Sequence, residues 1–486
     1  MRILLGELKP DTPDLMNGEL EEALNCIPYR GSYGPFSGAT AYSSSISDRV
    51  VGARSTLDTM ATVHTFAGTL TNLYKESAAT WTNVTRTATY TMPVEKHWEF
   101  ETFGNTFLGV NGTDAMQVFT LGSSTRFRDQ SASASAPIAH HIATVRDFVM
   151  VGNISGNANR VQWCQINNPL RWTANVTQQS DFQDLPGSGS VVRGITGGDF
   201  AAILTDKDVW RASYVGSPLI FRFDQVVPGI GCFASGSVSR FQNVTFYLSE
   251  KGFYAFDGNA SVPIGDEKVD GFLIDDLNVS YKHRITSVID VKNKLYVFSY
   301  PSTASTDGTP DRMLLYSWVA NRWSRVEQTV ELVFYSLSPG YTLEGLDAIS
   351  SSLDALPFSL DSEVWAGGAS ILSAFNTNHQ QINFDGDAKT ATFITGEAQI
   401  FPDARAFVRA IRPLIQGNSS TTITARVGKR DRLIDSVSYG SASSMNSSGI
   451  CPVRSNGRFQ RVRMDISGGF ERAIGFDVDA VREGVR

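Results

Sequence analysis

A unit of two short apolar strands joined by a tight turn recurs along the first three quarters of the chain and constrains the fold more than any other feature. Its apolar runs hold four to six residues and are bounded by Gly, Asn, Asp or Pro, which is typical of β-strands. Aromatic residues mark successive units 41 to 52 residues apart, namely Phe66, Phe107, Phe148, Phe200, Phe246 and Tyr296. A four-stranded propeller blade takes about 40–50 residues, and a lone blade cannot bury its own faces.

With a seventh unit at Val364–Phe375, the repeat predicts an all-β fold: a β-propeller of about seven blades, with six to eight possible. Helical periodicity is nearly absent. Leucine and isoleucine spacings of three and four residues over Leu343–Leu356 predict one short amphipathic helix, and Glu19–Leu24 has a weaker helical pattern.

The pattern changes near Thr390, where longer strands alternate apolar and polar residues. This period of two predicts sheets with one buried face, and we interpret the segment as a small β-sandwich. The predicted organisation is an N-terminal arm or closing strand laid on the propeller at 1–38, the β-propeller at 39–385 and the C-terminal β-sandwich-like domain at 386–486.

Basic residues occupy the polar positions of these C-terminal strands. They form a candidate interface for phosphates or for an acidic partner surface, with a merely solvated sheet face as the alternative. The candidates are Arg405, Arg409, Arg412, Arg426, Lys429, Arg430, Arg458, Arg461 and Arg463.

Charge is unevenly distributed along the chain. The formal net charge is −7, but residues 386–486 carry +5 and the remainder carries −12. An acidic body argues against an ordinary nucleic-acid-binding protein, which needs clustered Lys and Arg to displace counterions. Aromatic residues make up 11% of the chain, which excludes intrinsic disorder.

No catalytic or metal-binding motif stands out in the sequence. We expect no metal role for His140–His141, because adjacent strand residues point to opposite faces. The acidic pairs Asp206/Asp208 and Asp275/Asp276 lie in turns, where Asp favours local hydrogen bonds to the backbone. We therefore predict no enzyme, no cofactor and no metal, and keep a propeller glycosidase as a less favoured alternative.

Features that bear on location point to a protein made in a reducing cytoplasm. Four scattered cysteines form no paired motif, the N-terminus lacks the apolar run of a secretory signal, and no window is long and apolar enough to span a membrane.

Several segments resemble the tail hub or nozzle proteins of short-tailed bacteriophages, also called packaged-DNA stabilisation proteins. The similarity is a loose pattern over roughly residues 60–486 and contains no catalytic signature. The segments are Gly194–Asp224, Ser249–Gly258, Pro263–Asp270, Ser359–Gly368 and Gly457–Arg463.

The resemblance implies a structural virion protein, made in the bacterial host and located in the tail. It implies a hexamer below the head–tail connector or adaptor ring that encloses double-stranded DNA without sequence-specific binding, helps to retain and eject it, and carries fibres or spikes. The alternative is a β-propeller adhesin or glycan-binding tail component.

Overall fold

The computed structural model describes residues 1–13, 15, 19–130, 135–338, 350, 352–356, 359 and 368–484. It is 52% strand and 4% helix. The strands, in chain order, are β1 (Arg2–Leu4), β2 (Leu20–Leu24), β3 (Cys26–Tyr29), β4 (Ser32–Pro35), β5 (Thr40–Ser45), β6 (Gly52–Leu57), β7 (Val63–Gly68), β8 (Leu73–Ser77), β9 (Thr80–Asn83), β10 (Glu99–Phe103), β11 (Thr106–Val110), β12 (Gln117–Thr120), β13 (Arg128–Asp129), β14 (Ala139–Val145), β15 (Phe148–Ile154), β16 (Asn157–Trp163), β17 (Asp181–Asp184), β18 (Val192–Thr196), β19 (Phe200–Thr205), β20 (Val209–Gly216), β21 (Ile220–Val227), β22 (Ser239–Phe241), β23 (Val244–Ser249), β24 (Gly252–Phe256), β25 (Ser261–Pro263), β26 (Thr286–Asp290), β27 (Leu295–Tyr300), β28 (Arg312–Ser317), β29 (Arg322–Glu327), β30 (Leu332–Leu337), β31 (Ser370–Phe375), β32 (Gln380–Asn383), β33 (Ala391–Thr395), β34 (Ala406–Gly417), β35 (Thr422–Arg430), β36 (Ser438–Tyr439), β37 (Ser443–Ser444), β38 (Cys451–Gly457), β39 (Phe459–Ser467) and β40 (Phe470–Arg482). One α-helix, α1, spans Asp270–Asp276, and short 3₁₀ turns lie at Ser235–Ser237, Val279–Arg284 and Leu353–Ala355.

Seven four-stranded antiparallel blades form the main body of the described chain. In order, they are β6–β9, β10–β13, β14–β17, β18–β21, β22–β25, β26–β29, and β30–β32 completed by β5. The first strand of the seventh blade contacts that of the first, which closes the ring. The predicted β-propeller of about seven blades is therefore confirmed.

Neighbouring blades are joined by hydrogen bonds near the axis, many of them from serine and threonine hydroxyls. Most of the buried polar residues in the described chain are accordingly serines and threonines, whose small hydroxyl side chains fit between closely packed blades. The bonds are Thr56–Thr102 (2.8 Å), Thr144 to the Thr102 carbonyl (3.4 Å), the Gly198 amide to the Thr144 carbonyl (3.0 Å), Thr196–Thr245 (2.8 Å), Ser239–Ser287 (2.9 Å), the Val333 amide to Thr286 (3.2 Å) and Ser55–Ser336 (3.4 Å).

The aromatic residues that mark the repeat pack mainly between blades. Phe66 stacks on Phe107 of the next blade with ring centroids 4.4 Å apart, and Phe246 stacks on Tyr296 at 5.2 Å. Aromatic pairs of this kind add to the burial of apolar area that holds the ring together.

The propeller closes through a strand from the N-terminal side of the chain. Strand β5 pairs with β32, placing Ala41 opposite Ile382. The preceding residues differ from the predicted arm, because β1, β3 and β4 join β40 in one sheet, and β2 pairs with β29 and β33. Segment 1–38 thus supplies strands mainly to the sandwich, whose sheet edges offer unpaired backbone groups.

The C-terminal strands form the predicted β-sandwich together with these N-terminal strands. One sheet has the order β3–β4–β40–β34–β38, with β1 also paired to β40. The other has the order β2–β33–β39–β35–β36, with β37 also paired to β35. Strand β39 alternates buried and half-buried residues along its length, which confirms the period of two.

Propeller and sandwich share both a sheet and a core. Strand β2 pairs in parallel with β29 of the sixth blade through Leu24 and Arg325, so nine strands follow one another from the blade into the sandwich, and β37 adds a tenth strand to this sheet by pairing with β35. A single buried cluster contains Phe253 and Trp323 from the blades and Phe393 and Phe476 from the sandwich. The two parts therefore form one packed unit.

Two helix predictions have different outcomes. The helical prediction for Glu19–Leu24 was wrong, because Leu20–Leu24 forms a strand that pairs with β29 on one side and β33 on the other. The predicted helix over Leu343–Leu356 lies largely outside the described residues, as do Val364 and its neighbours at the start of the seventh repeat unit. No helix in the described part of the chain is long and apolar enough to cross a membrane.

Candidate functional site

The propeller encloses a central cavity of about 610 Å³, here called the axial cavity. It is lined by first strands of several blades and by the residues that precede them. The charged side chains of this lining are five cations and two carboxylates. The cations are Arg49, Arg54, Lys96, Arg240 and Arg284, and the carboxylates are Glu99 and Glu331. The lining is therefore basic although the body as a whole is acidic.

Most of these cations are held by the protein. Arg54 binds Glu101 at 3.1 Å and the Phe100 carbonyl at 2.7 Å. Arg240 donates to the Phe200 carbonyl at 3.0 Å, and its guanidinium lies 4.7 Å from the centroid of the Phe200 ring. Glu101 offsets the charge of Arg54, whereas Arg240 is held by a carbonyl and a ring and contributes a positive potential to the cavity.

A cluster of two histidines and a glutamate lies at the rim of the axial cavity, between the second and third blades. Glu99 begins β10, His97 precedes it by two residues, and His141 lies on β14. Glu99 Oε1 is 2.8 Å from His141 Nδ1 and 3.2 Å from His97 Nε2. The ligand atoms of the three residues all lie within 4.8 Å of one another.

The environment of the cluster keeps the carboxylate ionised. Burial alone would raise the pKa of Glu99, but the His141 and His97 imidazoles lower that pKa well below its ordinary value. His141 is 2% exposed, whereas the side chains of His97 and Glu99 are 28% and 26% exposed. The cluster is therefore anchored in the protein and open toward the cavity.

A second, smaller cavity of about 130 Å³ adjoins the cluster and is here called the rim cavity. His97 and His141 line it, together with His140, Lys96, Arg193 and Lys282 among others. The His140 ring packs against Gly112, where an added Cβ would lie 2.3 Å from Nε2. Burial and the nearby His141 lower the pKa of His140 to about 3, so this imidazole is neutral at physiological pH.

His140 and His141 are adjacent on one strand, so their side chains were expected to point to opposite faces. The structure agrees, because His141 bonds to Glu99 and His140 does not. His97 and Glu99 were not predicted as site residues from the sequence. Their spacing of two residues at the start of a strand was an available signal, because residues i and i+2 lie on one face.

The nine basic candidates do not form one surface. Arg405, Arg409 and Arg412 lie at or on β34 of one sheet, whereas the other six lie on or beside β35 and β39 of the second sheet. The alternation was correctly predicted for β39, but a bulge between Val408 and Ala410 interrupts it on β34. The two groups also belong to different layers of the sandwich.

Six of the nine are paired with carboxylates, which reduces the positive charge available to a partner. The pairs are Arg405–Asp431 (3.0 Å), Arg409–Asp479 (2.9 Å), Arg426–Asp465 (3.6 Å), Arg430–Glu397 (2.7 Å), Arg463–Asp465 (3.2 Å) and Arg461–Glu21. Within the described ranges, Arg412, Lys429 and Arg458 have no carboxylate at ion-pair distance.

The acidic pairs have partners within the protein, but these are not the local backbone bonds that were predicted. The partners of Asp208 and Asp276 lie 19 to 36 residues away in sequence, and Asp275 and Asp276 lie in α1 and not in a turn. Asp208 accepts hydrogen bonds from Ser188 and from the Gly189 amide, both at 2.9 Å. Asp276 binds Arg312 at 2.6 Å and accepts a bond from Tyr300 at 2.8 Å. These carboxylates therefore have structural partners.

No protein-family model and no curated protein matches the chain. Solved structures similar to it include the Neurospora crassa Pan2 WD40 domain, with 9% identity, a TM-score of 0.39, and coverage of 74% of this chain and 96% of that one. BBS1N in complex with ARL6DN has 8% identity, a TM-score of 0.40 and coverage of 73% and 96%. PorZ of Porphyromonas gingivalis, described as a surface component of the type-IX secretion system, has 11% identity, a TM-score of 0.37 and coverage of 81% and 50%.

Proposed function

We propose that the chain is a structural subunit of a short-tailed bacteriophage tail, a nozzle or hub protein located in the virion. Six copies form a ring below the head–tail connector or adaptor, and the ring encloses the DNA exit path and carries fibres or spikes. The observation that carries this proposal is the ten-stranded sheet that makes propeller and sandwich one unit. A subunit of a DNA conduit must resist deformation, and a continuous sheet with a shared core supplies that resistance.

In this proposal the DNA passes between copies and not through one propeller. The axial cavity is about 610 Å³, and cations outnumber carboxylates among its charged lining residues, so it would hold phosphates and stop a duplex from sliding. The acidic remainder of the chain, with a net charge of −12, instead repels phosphates. A conduit wall formed by acidic surfaces lets DNA move without sticking.

Charge also supplies a way for copies to assemble. The sandwich segment carries +5, so it is attracted to the acidic propeller of a neighbouring copy, and such head-to-tail contacts close into rings. Lys429 and Arg458, at the same end of the second sheet, have no described carboxylate partner within the chain and are the residues we assign to this contact.

The test is the mass of the purified full-length protein by native mass spectrometry, with negative-stain electron microscopy of the same sample. We expect six copies in a ring, and the Lys429→Glu/Arg458→Glu double variant should dissociate at lower salt than the wild type. Lys251→Glu/Lys294→Glu is the matched control, because it makes the same charge change at exposed propeller positions. A monomeric wild type, or equal dissociation of both variants, would contradict the proposal.

The alternative is a propeller that binds a glycan, as an adhesin or tail component does. One observation favours it: the axial cavity has the volume of a small-molecule site and combines cations with Trp98 and Phe100. Such a lining suits an acidic sugar. Binding on a glycan array that is lost in Arg240→Gln, with the ring mass unchanged, would support this second function.

A further inference from the structure

We propose that His97, Glu99 and His141 bind one divalent transition-metal ion, zinc being the best match, at the rim of the axial cavity. The donors are His97 Nε2, Glu99 Oε1 and His141 Nδ1. Zinc bonds of 2.0–2.2 Å in a tetrahedral site place ligand atoms about 3.3 Å apart. The observed separations of 2.8 and 3.2 Å from Glu99 are close to this value, and since the ligand atoms as a group lie within 4.8 Å of one another, the two imidazoles must also move closer together to bind one ion.

The donor chemistry favours zinc over magnesium or calcium. Two imidazoles and one carboxylate suit zinc and related first-row metals, whereas magnesium and calcium require mainly oxygen ligands. Three protein ligands are also typical of sites that keep a position open for water or another ligand. The partial exposure of His97 and Glu99 places that position toward the cavities.

The rest of the protein holds the ligands in place. The second oxygen of Glu99 accepts a hydrogen bond from the Ile142 amide at 3.2 Å, which fixes the carboxylate against the third blade. His141 is almost fully buried on β14, so its ring cannot turn away freely. Partners that orient a ligand in this way strengthen metal binding.

The surroundings indicate which ligand the open position takes. Three cations line the rim cavity, namely Lys96, Arg193 and Lys282. Outside the cluster, Glu95 is the one carboxylate among the described lining residues. A cavity of about 130 Å³ has room for a few water molecules or one small anion. With the metal bound, the site therefore favours an oxygen anion such as a carboxylate or phosphate group.

The metal is tested on the full-length protein after dialysis against a chelator. Titration with zinc, followed by calorimetry and by elemental analysis of the dialysed complex, should give one ion per chain. Cobalt should give the visible absorption of a tetrahedral site. Glu99→Gln and His97→Asn should each weaken binding by at least about a hundredfold, since each removes a direct ligand.

The matched control is His379→Asn. His379 Nδ1 lies 2.8 Å from Glu331 Oε1, which repeats the histidine–glutamate contact, and no third ligand joins the pair among the residues that the structure describes. This variant should therefore bind zinc like the wild type. His97 precedes its strand, so His97→Asn tests the site even if Glu99→Gln does not fold. A wild type that binds no zinc, or a His97→Asn variant with unchanged affinity, would show that the cluster is only a hydrogen-bonded network.

A second measurement tests the anion. Acetate or inorganic phosphate added to the cobalt-loaded protein should change its visible spectrum, and an unchanged spectrum would contradict an open position. None of the three ligands belongs to the ring contact that we assign to Lys429 and Arg458, so His97→Asn should leave the native mass unchanged.

Discussion

Replacing Arg430 with alanine should destabilise the protein far more than the same change at Arg409, although both arginines form ion pairs on sandwich strands. Arg430 binds Glu397 through Nε at 2.8 Å and through Nη2 at 2.7 Å, and the two side chains are 11% and 0% exposed. Removing the arginine leaves a buried carboxylate without this partner. Breaking a buried pair costs about 3–5 kcal/mol of the free energy of unfolding.

The Arg409–Asp479 pair provides the comparison. Its atoms are 2.9 Å apart, but the side chains are 52% and 55% exposed. Exposed pairs contribute about 0–1 kcal/mol, because water screens the charges and both side chains lose freedom. Arg430→Ala should therefore cost at least about three times as much as Arg409→Ala.

The assay is equilibrium urea unfolding followed by circular dichroism and by tryptophan fluorescence. Residues 386–486 contain no tryptophan, so fluorescence reports on the rest of the chain. Because sandwich and propeller share a core, Arg430→Ala should shift both transitions together. Equal midpoints for the two variants would refute the energetic reasoning, and a shift seen only by circular dichroism would refute the coupling of sandwich and propeller.

Three further changes test other parts of the structure. Burial raises the pKa of Asp270 to about 6, so the protonated carboxyl stabilises the fold at low pH and this contribution is lost as the pH rises from about 4 to 6. Asp270→Asn should therefore raise the thermal midpoint at pH 7 but not at pH 4. Equal shifts at the two pH values would contradict this. Gly197→Ala places a Cβ 1.8 Å from the Thr144 carbonyl and should lower the midpoint in calorimetry by separating two blades. Ser43→Ala removes the acceptor of the buried Gln381 amide and of the half-buried Trp81 indole, and it should cost about 2 kcal/mol in urea unfolding. Ser45→Ala, at an exposed position, should stay within about 0.5 kcal/mol.

The repeat predicted the propeller because it reports the most buried part of each blade. The paired runs beginning at Phe66, Phe107 and Phe148 are the second and third strands of their blades. The first strands were harder to detect, because they carry the small polar residues that join the blades. In the seventh unit the predicted pair of strands was shifted by one strand, because Ser370–Phe375 is the second strand of its blade and not the third.

The N-terminal segment could not be placed from local patterns. Leu20–Leu24 has a weakly helical spacing, but its backbone is paired with β29 on one side and β33 on the other. These partners lie about 300 and 370 residues further along the chain. Tertiary pairing of this kind overrides a weak local preference, and only knowledge of the partner strands would have revealed it.

The candidate site could not be predicted from sequence motifs, because its residues lie far apart in the sequence. Motifs for metals and catalysis rely on ligands held by one helix or loop, whereas this cluster forms only when the second and third blades meet. His97 and Glu99 share a face through their spacing, and the ring brings His141 to them. The first strands of a propeller converge on an axis, so charged or imidazole residues at their starts are brought together whatever their separation in sequence. In a repeat of this kind, residues at equivalent positions of neighbouring units should therefore be searched as one group.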